Sequence, residues 1–306
     1  NRYNDLNNVE SCHLTSFTKA PYVNPEMTGH FRHNALFIGN NVRKAVQEGR
    51  ADFTPIFLSE IPLLLESGKF PIDVCFLHLS MPDAHGYCSF GVSNECSKIA
   101  AENSRVIVAQ LNKRMPRVLG DNFIHIDKID YIVECDIELP ELPMVDPNMP
   151  KEERAVYRKI AENISMLIKD GDTLQMGIGA IPDAVLPYLR EKNDLGIHTE
   201  MFSDSLIDLI ELGVVNGDRK SLLPGKVVSS FVIGTKKLFD YIDDNSLIEF
   251  RTSKFVNDPF TIARNDNMIS INSCIEVDIT GQVCADSIGH KIYSGFGGQV
   301  DFIRGS

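Results

Sequence analysis

Short apolar runs rich in β-branched residues alternate along this chain with stretches of helical period, and that alternation is the pattern of parallel sheets crossed by helices. No internal repeat or low-complexity tract interrupts it, which excludes a solenoid. In the first half, Ala35 to Ile38, Ala51 to Phe57, Val74 to Leu79, Val106 to Leu111 and Tyr131 to Glu134 read as strands, with Asn41 to Glu48 and Ser59 to Ser67 as helices between them. Residues 138–150 then hold four prolines, Pro140, Pro143, Pro147 and Pro150, which neither a helix nor a central strand accommodates. The pattern resumes with an amphipathic helix over Lys151 to Lys169, carrying Ala155, Ile160, Ile164 and Ile168 on one face. A strand at Thr173 to Met176, a helix from Pro182 to Glu191 and a strand ending near Glu200 come next. A helix from Ser205 to Leu212, capped by Ser203 or Asp204, precedes strands at Lys226 to Ile233, Leu247 to Arg251 and Met268 to Ile271. The fold class is α/β, with two open α/β domains over 1–146 and 147–306.

With 306 residues, 43% of them hydrophobic, there is enough apolar side chain for two cores. No apolar run reaches the ~18 residues of a membrane span, and the first residues lack the basic-then-apolar order of a signal peptide, so neither a membrane nor a secretory address is expected. Seven scattered cysteines without a C-x-x-C pair suit reduced thiols in the cytoplasm and the interior of a core. His78 and His85 flank a Pro-Asp turn with no third ligand at metal spacing, so no metal site is expected. A net charge of −12 argues against a nucleic-acid surface while leaving room for a local basic pocket. The chain starts without Met and stops at Ile303-Arg304-Gly305-Ser306 directly after a Gly-rich turn. It reads as a piece of something longer, with the second domain apparently incomplete.

Ligands of open α/β sheets sit at the carboxyl ends of the strands, and three strand-to-helix turns there carry unusual residues. Gly177-Ile178-Gly179-Ala180-Ile181-Pro182 offers close backbone approach and free N–H groups at a helix start. It fails the dinucleotide fingerprint, because Pro182 stands where Gly or Ala is required; two glycines at a tight turn also have a plain structural explanation. Glu200, in Gly196-Ile197-His198-Thr199-Glu200-Met201, puts a carboxylate at the end of an interior strand. It could serve as an acid or base, as a nucleophile, or as a surface carboxylate favoured by a helix dipole. His198 could tune it or simply be packed and hydrogen-bonded. Ser294-Gly295-Phe296-Gly297-Gly298-Gln299 could converge backbone amides on an oxyanion or form a flexible hairpin turn. Asn257, before Asp258-Pro259, is compatible with ordinary turn chemistry.

These stretches, with Gly234-Thr235-Lys236, Asn257-Asp258-Pro259, Ile271-Asn272, Glu276-Val277-Asp278, Gly281-Gln282 and Gly297-Gly298-Gln299-Val300-Asp301-Phe302, resemble the acetyl-CoA hydrolase/transferase family. The likeness is nearest its 4-hydroxybutyrate and butyryl-CoA:acetate CoA-transferase branch. Met81-Pro82-Asp83-Ala84-His85-Gly86 extends it into the first half, so it runs in order over nearly the whole chain. The resemblance implies ping-pong exchange of CoA between a short-chain acyl-CoA and acetate, through a glutamyl-CoA thioester on Glu200. Asn257 (side-chain amide) and Gly298 (backbone N–H) would be oxyanion donors. Gly177, Ile178, Gly179, Ala180 and Ile181 would hold the CoA chain, with Ile275 packing more loosely, and Glu276 would be structural. It further implies CoA or acyl-CoA as substrate with no tightly bound cofactor, a short-chain carboxylate as second partner, and a homodimer. An acyl-CoA hydrolase using the same glutamate and a noncatalytic CoA-binding protein are the alternatives.

Overall fold

The computed structural model describes residues 3–142, 149–177 and 180–306. The chain divides into two compact units, Asn1–Leu58 with Cys274–Val300, and Ser59–Ser273 with Asp301–Ser306. The boundary read at 146/147 falls at residues outside those described.

The first unit is built on three parallel strands, β1 (Val9–His13), β2 (Phe31–Ala35) and β3 (Asp52–Phe53), with helix α1 (Asn40–Gln47) between the last two. Val42 and Ala45 of α1 are buried, and Val42 joins Ala20, Ala35 and Ile38 in a small core. The expected strand at Ala35 to Ile38 is displaced: β2 ends at Ala35, and the chain turns through Gly39 into α1. The strand expected over Ala51 to Phe57 shrinks to β3, because Pro55 has no N–H to give a ladder. Strand β1 has no counterpart in the sequence reading. Two further hairpins, Glu276–Val277 with Val283–Cys284 and Ser287–Ile288 with Lys291–Ile292, complete this unit.

Parallel register pairs Ser11 with His33, and the imidazoles of His13 and His33 lie 4.3 Å apart, centre to centre. His13 Nε2 is 2.5 Å from the Tyr22 hydroxyl, and His33 Nδ1 is 3.2 Å from Ser11 Oγ. Burial pushes His33 down to about 4 and also lowers His13. Since the folded pKa of His33 lies below the unfolded 6.5, its contribution to stability is whole above pH 6.5 and is lost as pH falls through 4. For a side chain only 1% exposed, the loss reaches about 3 kcal/mol. Thermal melts from pH 7.5 to 4 should therefore show stability falling with acid, and His33→Phe should flatten that dependence; an unchanged slope would refute the assignment.

The second unit opens with helix α2 (Ile61–Glu66), strand β4 (Ile72–Ser80), β5 (Tyr87–Ser89), helix α3 (Ser97–Glu102), β6 (Ser104–Asn112), β7 (Phe123–His125) and β8 (Tyr131–Cys135). β4, β6 and β8 form a parallel sheet, while β5 and β7 pair antiparallel. Helix α4 (Lys151–Ser165) follows; it stops short of Lys169, and Ala155, expected on its buried face, is exposed. Ala161 is the buried residue of α4; of the expected face, Ile164 packs partly buried against the same core and Ile168, just beyond the helix, is buried.

Next come β9 (Thr173–Met176), helix α5 (Ala180–Val185), β10 (Gly196–His198), β11 (Met201–Phe202), helix α6 (Ser205–Glu211), β12 (Val227–Ser229), β13 (Phe231–Val232), helix α7 (Lys236–Ile242), β14 (Ile248–Phe250), one-turn helices α8 (Ser253–Val256) and α9 (Pro259–Ile262), and β15 (Met268–Ile271). The expected helix over Pro182 to Glu191 is α5 followed by a 3₁₀ turn at Leu186–Leu189. The expected strand over Lys226 to Ile233 is broken at Ser230 into β12 and β13. β14, β12, β10, β9 and β15, in that order, make a fully parallel five-stranded sheet, and β11 pairs with β13. Leu174, Ile197, Val227, Ile248 and Phe250 are buried in its core, as continuous apolar runs of a doubly covered parallel sheet demand. The chain closes with helix α10 (Gln299–Gly305), so the Gly-rich turn before it opens a helix and not a hairpin. No helix among the described residues is long and apolar enough to cross a membrane.

The free edge of β14 is covered by residues 119–120: Phe250 N–H donates to the Leu119 carbonyl at 2.8 Å, and Gly120 bridges to Phe250. Gly120 has φ +110, and a Cβ there would stand 2.3 Å from the Phe250 carbonyl oxygen. Gly120→Ala should cost about 3 kcal/mol, by strain and by backing the edge segment off the sheet. Urea titration reads this as a lower midpoint, and an unchanged midpoint would refute it.

Candidate active site

The strands of the five-stranded sheet lead at their carboxyl ends to a glycine turn and to four sets of polar side chains. β9 leads to Gly177, β10 to Glu200, β12 to Ser229 and Ser230, β14 through α8 to Asn257, and β15 to Asn272. Strand order reverses at β9, with β10, β12 and β14 laid out on one side and β15 on the other, which is where open sheets form their crevice.

Glu200 sits where two neighbouring strands leave the sheet together, β10 continuing as β11 and β12 as β13. Its backbone is pinned from that side. The Ser230 N–H donates to the Glu200 carbonyl at 3.0 Å, and the Ser229 hydroxyl lies 3.0 Å from the same oxygen. On the other side, the buried hydroxyl of Thr199 accepts the Met176 N–H at 3.1 Å and lies 2.9 Å from the Met201 carbonyl. The Glu200 side chain is half-buried, and its Oε2 accepts a hydrogen bond of 3.1 Å from Asn257 Nδ2.

Asn257 is fully buried at the junction of α8 and α9. The turn chemistry there belongs to its neighbour, for Asp258 accepts from the N–H and hydroxyl of Thr261 at 2.9 and 2.7 Å. That leaves the Asn257 amide for the carboxylate. His198 is also fully buried, packed between the rings of Phe255 and Phe302, with Nε2 2.9 Å from the Val256 carbonyl. Burial lowers its pKa to about 4.

Gly177 is required by close approach, since a Cβ would meet Asn272 Oδ1 at 2.8 Å and the Ile271 carbonyl at 3.0 Å. Its N–H donates to that carbonyl at 2.7 Å. Asn272 and Gln175 exchange two amide hydrogen bonds of 2.9 and 3.1 Å, which fasten the ends of β9 and β15. Ile178 and Gly179 lie outside the described residues, Ala180 starts α5, and Ile181 is half-buried on it. A recess lined mainly by Met176, Gly177, Thr199, Met201 and Leu206 adjoins these strand ends.

Gly298 and Ile275 belong to the first unit. Gly298 is buried, and the Gly297 carbonyl before it accepts the Leu58 N–H at 3.1 Å. Ile275 is 38% exposed and donates its N–H to the Cys284 carbonyl at 2.9 Å; Glu276, next to it, is exposed. Among the described residues, no cluster of three or more His, Cys, Asp or Glu side chains could hold a metal ion.

Asp204 stands at the N-cap of α6, yet its side chain does not cap that helix. It accepts the Thr235 N–H at 3.0 Å and its hydroxyl at 2.6 Å instead, and leaves no room for a Cβ at Gly234. Sequence reasoning misses Thr199 and Ser229, although hydroxyls at parallel strand ends are a usable signal. It also misses Lys220, whose buried Nζ donates to the carbonyls of Ile197 and Lys226 at 2.9 and 2.8 Å. The stem of Lys220 crosses Gly196 so closely that a Cβ there would lie 2.2 Å from Lys220 Cγ.

The acetyl-CoA hydrolase/transferase N-terminal domain model matches residues 1–143, and the C-terminal domain model matches residues 234–306. The 4-hydroxybutyrate coenzyme A transferase of Clostridium kluyveri is 51% identical over 97% of this chain and 68% of that protein. A Fasciola hepatica enzyme named succinyl-CoA:acetate/propanoyl-CoA:succinate CoA transferase is 48% identical over 99% of this chain and 62% of its own length. The crystal structure of a 4-hydroxybutyrate CoA-transferase from Porphyromonas gingivalis superposes with a TM-score of 0.83 at 40% identity, covering 99% of this chain and 68% of that one. The chain thus spans 62% to 68% of the length of these relatives. The fold is the α/β fold of CoA-transferases. The chain belongs to the acetyl-CoA hydrolase/transferase family.

Proposed function

We propose that this protein moves CoA between a short-chain acyl-CoA and a carboxylic acid, with Glu200 as the covalent relay. The observation that carries the reading is the half-buried Glu200 carboxylate at the end of β10, bonded to the buried Asn257 amide at 3.1 Å. An ionised carboxylate needs no general base; it needs donors for the oxyanion formed when it attacks. Glu200 adds to the thioester carbonyl, CoA thiolate departs, and an acyl-glutamyl anhydride forms. The thiolate then attacks the glutamyl carbonyl, which releases the first acid and leaves a glutamyl-CoA thioester. The second carboxylate attacks that thioester to give a new anhydride and free thiolate, and the thiolate's attack on the acyl carbonyl yields the new acyl-CoA and restores Glu200.

Asn257 touches an oxygen of Glu200 itself. Its amide is therefore proposed for the steps in which the glutamyl carbonyl carries the negative charge. Gly298 N–H is proposed for the complementary steps on the acyl carbonyl, and the Gly177 to Ile181 turn, with Ile275 packing more loosely, for the pantetheine chain. Binding the distant nucleotide then supplies energy for the reacting bonds. The names of the relatives support 4-hydroxybutyryl-CoA or butyryl-CoA as donor and acetate as acceptor. CoA is substrate here, and no resident cofactor is proposed.

The test is to incubate the protein with butyryl-CoA, reduce with borohydride, and locate the modified peptide by mass. Reduction at Glu200 is expected, with exchange that depends on acetate. Label elsewhere would overturn Glu200 as the relay, and acyl-CoA consumption indifferent to acetate would overturn transfer in favour of hydrolysis through the same glutamate.

A further inference from the structure

Asn257 is held in an unusual way. It follows α8, a single turn of four residues, and so short a helix has little stability of its own. The terminal carbonyls of a helix have no partner within it. One of them, on Val256, accepts from a side chain outside the helix: His198 Nε2, at 2.9 Å. Val256 is peptide-bonded to Asn257, and His198 is two residues before Glu200 in the chain. Two parallel ties therefore join the same two segments, His198 to Val256 and Glu200 to Asn257.

The geometry points to His198 as a positioning residue, whose Nε2–H fixes the Val256 carbonyl and thereby aims the Asn257 amide at Glu200. This deepens the reading of Glu200 as relay and rests on it. A carbonyl can only accept, so the proton sits on Nε2; Nδ1, buried and with no hydrogen-bond partner among the described residues, is the bare nitrogen of the neutral tautomer. The rings of Phe255 and Phe302, with centroids 6.2 and 6.1 Å from that of the imidazole, keep the ring from turning away. The role concerns direction, since a small misplacement of a catalytic group costs far more rate than affinity.

The side chains of Gln and Asn separate this role from simple packing. The Gln amide nitrogen reaches about as far as imidazole Nε2, whereas that of Asn stops near Nδ1. In the intact protein, His198→Gln should keep kcat within about threefold of the parent, while His198→Asn and His198→Phe should lower it about tenfold to a hundredfold with KM for acyl-CoA little changed. His198→Phe leaves the buried Val256 carbonyl without its partner, so rates are compared at a temperature where melting curves show every variant folded. Borohydride labelling of Glu200 accompanies each assay. If the parent is labelled at Glu200 but the Asn and Phe variants turn over normally, or the Gln variant is as slow as Phe, the role of His198 is wrong and the relay stands. If the parent is not labelled at Glu200, both fall.

Discussion

Glu200→Ala is expected to lose at least about a thousandfold of acyl-CoA:carboxylate exchange, while the melting temperature changes little. The two halves of that statement have separate causes. The carboxylate is half-buried and makes its hydrogen bond to Asn257 at the end of the sheet, so trimming it opens no core cavity. Covalent relay, by contrast, ends when the carboxylate is gone. Glu200→Gln is the sharper version, because it keeps the shape and an acceptor for Asn257 but carries no anionic oxygen. Both variants should fail to take up label from butyryl-CoA. Exchange at more than a few per cent of the parent in freshly purified Glu200→Gln protein, checked by mass against deamidation back to Glu, would refute the relay.

Asn257→Ala is expected to lower kcat roughly a hundredfold, about 3 kcal/mol of transition-state stabilisation, as for removal of one oxyanion donor. Because the residue is fully buried, some stability will go with it, and kcat must be compared at a temperature where both proteins are folded. Asn257→Asp asks a different question. It sets a second carboxylate beside Glu200 across a 3.1 Å contact, and two such groups resist ionising together. The pair's upper apparent pKa then rises, the nucleophile is ionised only at higher pH, and the acid limb of the kcat profile moves to the alkaline side. Steady-state rates from pH 5 to 9 read the shift directly; an unmoved limb would mean that Asn257 does not adjoin the reacting carboxylate.

Much of the strand pattern was legible because these segments concentrate apolar and β-branched residues in short runs. Thr173–Met176 and Met268–Ile271 are strands over the expected residues, and Ile72–Ser80, Ser104–Asn112 and Ile248–Phe250 differ only at their ends. Strands defined by pairing more than by burial were harder. Val9–His13 alternates half-buried and exposed residues, and the break at Ser230 follows from the neighbouring chain, which leaves the sheet at the same level. Of the site, Glu200 was visible through its place at a strand end. Its partner Asn257 was reached only through the family resemblance, because residues 200 and 257 are joined by the sheet's topology and Asn257 beside Asp258-Pro259 reads equally well as a turn. Only the folded arrangement assigns the turn to Asp258 and frees the neighbouring amide. Lys220 and His198 show the same limit: each side chain binds a distant main-chain carbonyl, and a carbonyl has no residue type to recognise.

The fastening of the Glu200 main chain by Ser229 and Ser230 bears on how the exchange is choreographed. In the proposed cycle the sulfur must attack two different carbon atoms in turn, the glutamyl carbonyl of the protein and then the acyl carbonyl of the incoming acid. The protein's carbon is anchored at the backbone. The travel therefore falls to the thiol end of the coenzyme, swinging on its long flexible arm, while the acid it visits stays at its post.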